Sequence, residues 1–277
     1  MKRNLKYFLK NKLSDKELKL VPTSFDVIGR ILIFSDFPEE LAKKEKAVGN
    51  AVLENLKHIK TVLKKTKKYS GRFRIPKFKV IAGDKNKEAT YKENNVTVKL
   101  NVEKLYFSPR LGNERSRIAK LVRKGEKVLV MFSGTGIYAL VIAKNSEPES
   151  VYGIELNKVA HKYSKENIKI NRLENKINPI SGDVRKVLPK LKERFDRIVM
   201  PLPKGGGHFL NLAFKFVNKN GFIHFYDFLG ENEFEKAIGK IRDACKKEKR
   251  RFKVVKIVKC GEFASRVFRI CVDIKVL

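Results

Sequence analysis

Four stretches of this chain set acids and glycines where a small nucleotide-like ligand could be held. KVLVMF (Lys127 to Phe132) is a short apolar run with β-branched residues; it leads through Ser133 into Gly134-Thr135-Gly136 and then IYALVIAK, whose apolar spacing suits a helix. That order predicts strand, tight turn, helix. Glycines permit positive φ and close backbone approach, and the N–H groups that open the next helix attract a carboxylate or phosphate. A lone G-x-G also simply ends strands. The second stretch, SVYGIELNKVA, ends its apolar run in Glu155, about twenty residues past the loop, where a nucleotide-binding βαβ unit places the carboxylate for ribose hydroxyls. KINPISGDVRKVL ends its apolar stretch at Asp183, and FDRIVMPLPKGGGHFLNLA runs from Phe195 into Pro201-Leu202-Pro203. All four carry polar or turn residues just past the carboxyl end of a predicted strand, the edge where open α/β sheets bind ligands. Glu155 and Asp183 also have a plainer reading, as helix N-caps.

The elements that must position these residues alternate strand and helix from about Leu105 onward, which predicts a largely parallel, doubly wound sheet. The last stretch, FKVVKIVKCGEFASRVFRICVDIKVL, offers two strand-like runs around Gly261 and predicts an antiparallel hairpin closing the sheet edge. Ahead of this lies a smaller α/β unit. It starts at VPTSFDVIGRILIF and continues through the amphipathic helix ELAKKEKAVGNAVLENLK and a hairpin, EATYKENNVTVKLNV, turning at Asn94-Asn95. Three parts are expected: a basic helical arm over 1–20, a small α/β unit over 21–104 and a Rossmann-like domain over 105–277.

The charge balance points to a polyanionic partner. The 277 residues include 63 Lys plus Arg against 30 Asp plus Glu, a formal net charge of +33. Between Lys57 and Lys79 there are ten basic residues and no acid, interleaved with Tyr69, Phe73 and Phe78. Lys64, Lys65, Lys67, Lys68 and Arg72 in this run are candidate RNA phosphate contacts. The alternative is a solvated lysine-rich helix followed by an ordinary strand, and for Phe73 and Phe78 core packing is expected. Cys245, Cys260 and Cys271 lack metal or disulfide spacing, so no metal site is expected and a reducing compartment is. His58, His161, His208 and His224 lack ligand or triad spacing and read as solvated or packed imidazoles. The basic N-terminus holds no continuous apolar run of signal-peptide or membrane-spanning type, so a cytoplasmic protein without membrane attachment is expected.

SFDVIGRILIF, GRFR followed by IAGD, YKENN, YFSPRLGNER, FSGTG, IELN, DVR and MPLPKGGGHFLNLA follow one another in this order. In this the chain resembles archaeal and eukaryotic tRNA guanine-N1 methyltransferases, which act at guanosine 37 beside the anticodon and use S-adenosylmethionine. The likeness covers roughly residues 21 to 277. It implies an α/β, Rossmann-like class I methyltransferase domain behind a small α/β RNA-recognition domain, in an archaeal-type short form lacking most of the N-terminal domain that reads the tRNA elbow. The partner implied is tRNA around position 37, with the enzyme acting as a monomer and needing no obligate protein partner.

Site roles follow from the same likeness. Guanine N1 carries a proton at neutral pH, so methyl transfer needs a base near N1 and hydrogen-bond donors near O6. The resemblance implies Glu114 as base, Arg74 directed at the target guanine, and Tyr106 helping to place it; Arg110 supports the active-site loop or a phosphate. Read without the family, Glu114 is a helix-start acid paired with Arg117 or Arg110. For S-adenosylmethionine, the turn from Phe132 through Gly134 to Gly136 would hold the methionine end, Glu155 the ribose and Asp183 the adenine, with Pro201 beside the cofactor.

Three positions depart from the family. Val130 stands where an acid usually ends the first strand, which weakens the cofactor contacts there or shifts them to the backbone; Ser133 replaces an alanine; and Pro201 replaces an asparagine with a residue that has no side-chain donor or acceptor, leaving backbone carbonyls for base recognition. A sister family, the aminocarboxypropyl transferase of wybutosine synthesis, usually lacks the Pro-Arg-Leu after Phe-Ser and carries a Gly-Tyr type sequence at the Pro201 region. The alternatives to guanosine methylation are therefore aminocarboxypropyl transfer, methylation of a wyosine precursor, and a non-catalytic tRNA-binding module.

Overall fold

The computed structural model describes residues 5–70, 73 and 75–277, with the side chains of 67–70 left out of the description. The chain forms two compact units. The first runs through residue 92 and takes back Val98–Pro109; the second holds Glu93–Thr97 and Arg110–Leu277.

The first unit opens with α1 (Leu5–Leu9) and α2 (Asp15–Leu20). A capping box starts α2: Ser14 N–H donates to Glu17 Oε2 at 2.8 Å, and Glu17 N–H donates back to Ser14 Oγ at 3.4 Å. Within the described residues of the basic arm, these two helices do not stand apart from the unit that follows. Leu9, Leu13 and Val21 are buried in one core with Leu32, Phe34 and Val62, because apolar residues on such short helices need a partner surface. A four-stranded sheet follows in the order β1 (Asp26–Ile28), β2 (Ile31–Phe34), β3 (Thr61–Ser70), β4 (Ile75–Gly83). The β2–β3 pair is parallel, so the chain crosses between them through α3 (Glu45–Asn55); β1–β2 and β3–β4 are antiparallel. The lysine-rich run is thus a strand of a β-ribbon, and the helical alternative for it is overturned. The Asn94-Asn95 hairpin forms as β5 (Glu88–Glu93) and β6 (Val96–Asn101), both asparagines taking positive φ (43° and 63°) as a tight two-residue turn requires.

In the second unit α4 (Gly112–Leu121) precedes the alternating series β7 (Lys127–Met131), α5 (Ile137–Asn145), β8 (Ser150–Glu155), α6 (Lys158–Ile170), β9 (Ile177–Ser181), α7 (Val184–Leu191), β10 (Phe195–Met200), α8 (Leu210–Phe216), β11 (Val217–Gly230), α9 (Glu235–Lys247), β12 (Phe252–Ala264) and β13 (Val267–Val276). The sheet order is β12-β13-β11-β10-β7-β8-β9. From β9 to β11 all pairs are parallel, and the two β13 pairings are antiparallel. Central strands such as KVLVM are buried almost throughout, as a parallel sheet covered on both faces requires. The C-terminal hairpin closes the edge as expected, yet its reversal falls at Ser265-Arg266, where Arg266 has φ 58°. Gly261 instead lies inside β12, where the pairing with β13 slips.

Candidate active site

Strand order collects the first group of expected residues. From β7 the chain moves outward to β8 and β9, then returns to the other side of β7 for β10. The crevice of such a sheet opens at this switch, past the carboxyl ends of β7 and β10. Glu155 ends β8, and Phe132, Gly134, Gly136, Asp183 and Pro201 follow strand ends on the same edge. Phe132 leaves β7 with φ 59°, Gly134 has φ 58°, and Gly136 (φ 83°) opens α5. A side chain at Gly136 would meet Ser164 Oγ at 2.6 Å, so the position needs glycine for conformation and for space.

Glu155 closes the turn. It accepts Gly134 N–H at Oε2 and Asn157 N–H at Oε1, each at 2.7 Å. Burial raises its carboxyl above the ordinary 4.5, opposed by these backbone donors. The N-cap of α6 is Asn157, whose Oδ1 accepts Val159 N–H at 2.9 Å, so the cap reading of Glu155 does not hold. Asp183 does cap α7, accepting Arg185 N–H at 3.0 Å, and also pairs with the Arg185 guanidinium at 3.0 and 2.6 Å. Phe132 packs edge-on against Phe209 at 4.9 Å between ring centroids, and Arg185 lies over Phe209. Two apolar rings thus stand beside two carboxylates at the sheet edge, a setting for a flat polar ring with sugar hydroxyls.

Glu114 sits elsewhere in this unit, in the first turn of α4, and it is buried. It is paired with Arg117, as its plain reading expected, with Nε donating to Oε2 at 2.7 Å and Nη2 to Oε1 at 2.8 Å. Tyr226 O–H donates to Oε1 at 2.6 Å, and the Cys260 thiol lies against the same carboxylate. Arg117 turns its other edge to Asp273, Nη1 reaching Oδ2 at 2.6 Å. Asp273 Oδ1 lies 2.6 Å from His224 Nδ1, and His224 Nε2 lies 2.7 Å from Arg197 Nη1. Arg197 completes the chain with two bonds to Glu126, at 2.7 and 2.9 Å.

The proton positions follow from donor capacity. A guanidinium has donors only, so His224 Nε2 accepts from Arg197 and the ring proton sits on Nδ1, donating to Asp273. His224 is therefore neutral, in line with burial pushing its pKa down against the pull of Asp273. Burial works to raise the Asp273 carboxyl, but hydrogen bonds and charge from His224 and Arg117 hold it well below the usual carboxylate range. Burial likewise opposes the charge of Arg117, and its bonds to Glu114 and Asp273 raise its pKa overall. With His224 neutral, the chain holds three carboxylates and two guanidiniums.

The remaining expected residues divide between the units. Tyr106 is half-buried in the first, and Arg110 is exposed in the second. Lys64 differs from a free phosphate-facing cation: its ammonium pairs with buried Glu45 at 2.6 Å and lies over Phe37. Lys65 is on the same strand, partly exposed, beside a small cleft with Phe78, Phe107 and Pro109. Arg72 and Arg74, and the side chains of Lys67 and Lys68, lie outside the described residues. Phe73, expected in the core, is 41% exposed, so that expectation is corrected; Phe78 is half-buried. Arg197, His224, Tyr226 and Asp273 were not singled out as a group by sequence. A signal existed: Arg197 and Asp273 each interrupt an apolar strand (FDRIVM, RICVDIKV), and a charge inside a buried strand must be paired.

No helix among the described residues is long and apolar enough to cross a membrane. Comparison with known proteins bears on both units. The TRM5/TYW2 methyltransferase domain matches residues 89–255, and the TYW2 N-terminal domain matches residues 5–86, so the segment expected as a separate arm falls largely within the matched domain. The tRNA (guanine(37)-N(1))-methyltransferase Trm5b of Pyrococcus abyssi is 38% identical over 259 residues, covering 93% of this chain and 76% of the relative. The tRNA (guanine(37)-N(1))/4-demethylwyosine(37)-methyltransferase Taw22 of Nanoarchaeum equitans is 33% identical over 301 residues, covering 91% and 99%. Among solved structures, the complex of aTrm5 with tRNALeu superposes with a TM-score of 0.87 at 30% identity, covering 99% of this chain and 78% of that one. The sheet order and the glycine turn are those of S-adenosylmethionine-dependent methyltransferases, and the chain belongs to the TRM5/TYW2 methyltransferase family.

Proposed function

We propose that this protein transfers a methyl group from S-adenosylmethionine to N1 of guanosine 37 in tRNA. The observation that carries the reading is Glu114, a buried carboxylate inside YFSPRLGNER that is oriented by Arg117 and Tyr226. S-adenosylmethionine supplies an electrophilic sulfonium methyl when bound. Glu114 takes the N1 proton, and Oε2, which accepts a single guanidinium N–H, is the oxygen better placed to receive it. Arg74 and Tyr106 address the target guanine, and Arg110 supports the loop or a phosphate. Glu155 takes the ribose, Asp183 the adenine, the Phe132–Gly136 turn the methionine end, and Pro201 lines the same edge through its backbone. Residues 1–104 serve RNA recognition and 105–277 the chemistry. The test is mass spectrometry of nucleosides from a tRNA transcript with unmodified guanosine 37 incubated with protein and S-adenosylmethionine: 1-methylguanosine supports the reading, and no product rejects it.

A second reading has its own observation, the match of residues 5–86 to the TYW2 N-terminal domain. It is methylation of 4-demethylwyosine, or aminocarboxypropyl transfer to it, at the same position. A tRNA carrying that base, run in parallel, distinguishes these by product mass.

Cofactor affinity should depend on pH through Glu155. Its raised pKa means that the protonated carboxyl favours the folded state at low pH, a contribution lost as pH rises through the folded pKa. Ribose hydroxyls donate to the ionised form, so affinity for S-adenosylhomocysteine should climb as pH rises through the same value. Calorimetric titration between about pH 5 and about pH 8 should show this climb in the wild type and a flat, weaker profile in Glu155→Gln. A wild-type profile as flat as the variant's would remove Glu155 from the ribose contact.

The lysine ribbon should govern salt sensitivity. Replacing Lys65, Lys67 and Lys68 with Gln should flatten the dependence of log affinity for an anticodon stem-loop on log salt by about 0.7–0.9 for each phosphate no longer neutralised. Lys64→Gln should leave that slope in place, because Glu45 already takes its ammonium. An unchanged slope in the triple variant would show these lysines do not meet phosphates.

A further inference from the structure

Side chains on β11 alternate between faces, so Phe222, His224, Tyr226 and Phe228 share one. Their partners agree: Arg197 lies over Phe222 at 4.8 Å, His224 bonds Asp273, Tyr226 bonds Glu114, and Arg269 lies over Phe228 at 5.1 Å. On β13, Asp273, Cys271 and Arg269 stand directly opposite His224, Tyr226 and Phe228. The face therefore runs in rows toward the carboxyl end of β11, the ligand edge of the sheet. Phe228 is one pleat beyond Tyr226, about 7 Å further along.

That last row opens to solvent. His224 and Tyr226 are 1% exposed, whereas Phe263, near the end of β12, is 56% exposed. Its ring stacks on Phe228 with centroids 4.1 Å apart and planes 30° from parallel, whereas the pairs Phe132–Phe209, Tyr138–Tyr226 and Tyr152–Phe195 in the same unit meet edge-on. Phe263 thus has one face covered by Phe228, which the Arg269 guanidinium supports in turn. The hairpin does not require this ring for its pairing, which is carried by the backbone ladder from Glu262↔Phe268 to Ala264↔Val267.

We propose that Phe263, backed by Phe228 and Arg269, is a stacking shelf for an unpaired nucleobase of the RNA loop next to the target guanine. The proposal rests on the reading of Glu114 as the base, because the shelf lies one row beyond the tyrosine that holds it. A flat apolar ring stacked one row beyond the tyrosine that bonds Glu114, in a protein of net charge +33, fits a base that must leave its own stack to be reached. Stacking of this kind tolerates any base, so the shelf sets the geometry of the loop and does not read its sequence.

The test uses the full chain carrying Glu114→Gln, without methyl donor, and anticodon stem-loops with 2-aminopurine at the nucleotide on either side of the target guanosine. Binding should quench the fluorophore at one of the two sites. Adding Phe263→Ala should abolish the quench and weaken RNA affinity about 5- to 100-fold, while Phe263→Trp retains both. Unchanged S-adenosylhomocysteine affinity and melting temperature show that the variants are folded. RNA affinity in Phe263→Ala within about twofold of its parent, or a quench that survives, overturns the shelf. Because no step of this experiment needs turnover, a missing 1-methylguanosine product would reject the proposed reaction without touching this result.

Discussion

Glu114→Gln is expected to lower kcat for methyl transfer to guanosine 37 by about 10²–10⁴ while leaving the Kd for tRNA and for S-adenosylhomocysteine within about threefold of wild type. The substitution keeps shape and one acceptor oxygen, so a carboxamide oxygen in the place of Oε1 still accepts from Tyr226 O–H and from Arg117 Nη2, and only the Arg117 Nε bond to Oε2 is lost. What it removes is the ability to take a proton from N1. Arg117 retains Asp273 as its second partner, which limits the structural cost. Single-turnover assays at saturating tRNA and cofactor measure the effect without product release. A variant that turns over within about tenfold of wild type would show that Glu114 is only the structural partner of Arg117.

The largest effect on stability is expected at Arg197. Its guanidinium is 2% exposed and serves four acceptors: both oxygens of Glu126, the carbonyl of Leu121 and His224 Nε2. Arg197→Met fills much of the same volume but leaves the Glu126 carboxylate buried and unpaired. Removing one member of a buried pair costs about 3–5 kcal/mol, and that loss should appear in the chemical denaturation of the second unit. Adding Glu126→Leu should recover most of it, since a buried pair replaced as a whole by apolar groups is often close to neutral. A loss below about 1 kcal/mol in the single variant would mean that Glu126 finds water on its own.

The same network shows where reading the chain stops. The turn from Phe132 to Gly136, the acids Glu155 and Asp183 and the Asn94-Asn95 hairpin could be read because each depends on local events: a strand ending, a positive φ, a helix beginning. Arg117 could be named as a partner of Glu114 because three residues along a helix place the two side chains together. Resemblance extended this to the chemistry of Glu114, which local spacing reads only as a helix-start acid.

Other assignments needed the folded chain. Whether Lys57 to Lys79 formed a helix or a ribbon depended on β3 finding both β2 and β4, and this also left Phe73 outside the core. Asp183 kept its local role as a cap, whereas Glu155 yielded that role to Asn157. Lys64 was drawn to Glu45, a residue of the preceding helix.

By itself the sequence determined a basic α/β protein with a glycine turn and acids at strand ends, because these are set by residues near one another in the chain. Only the tertiary structure decided that Glu114, Asp273, His224 and Arg197 form one chain of hydrogen bonds. They come from one helix and three strands, brought together when β11 settles between β10 and β13. A charge inside an apolar strand announces that it needs a partner. Which partner it finds is fixed by sheet order and register, where a slip of one residue would turn Asp273 to the opposite face.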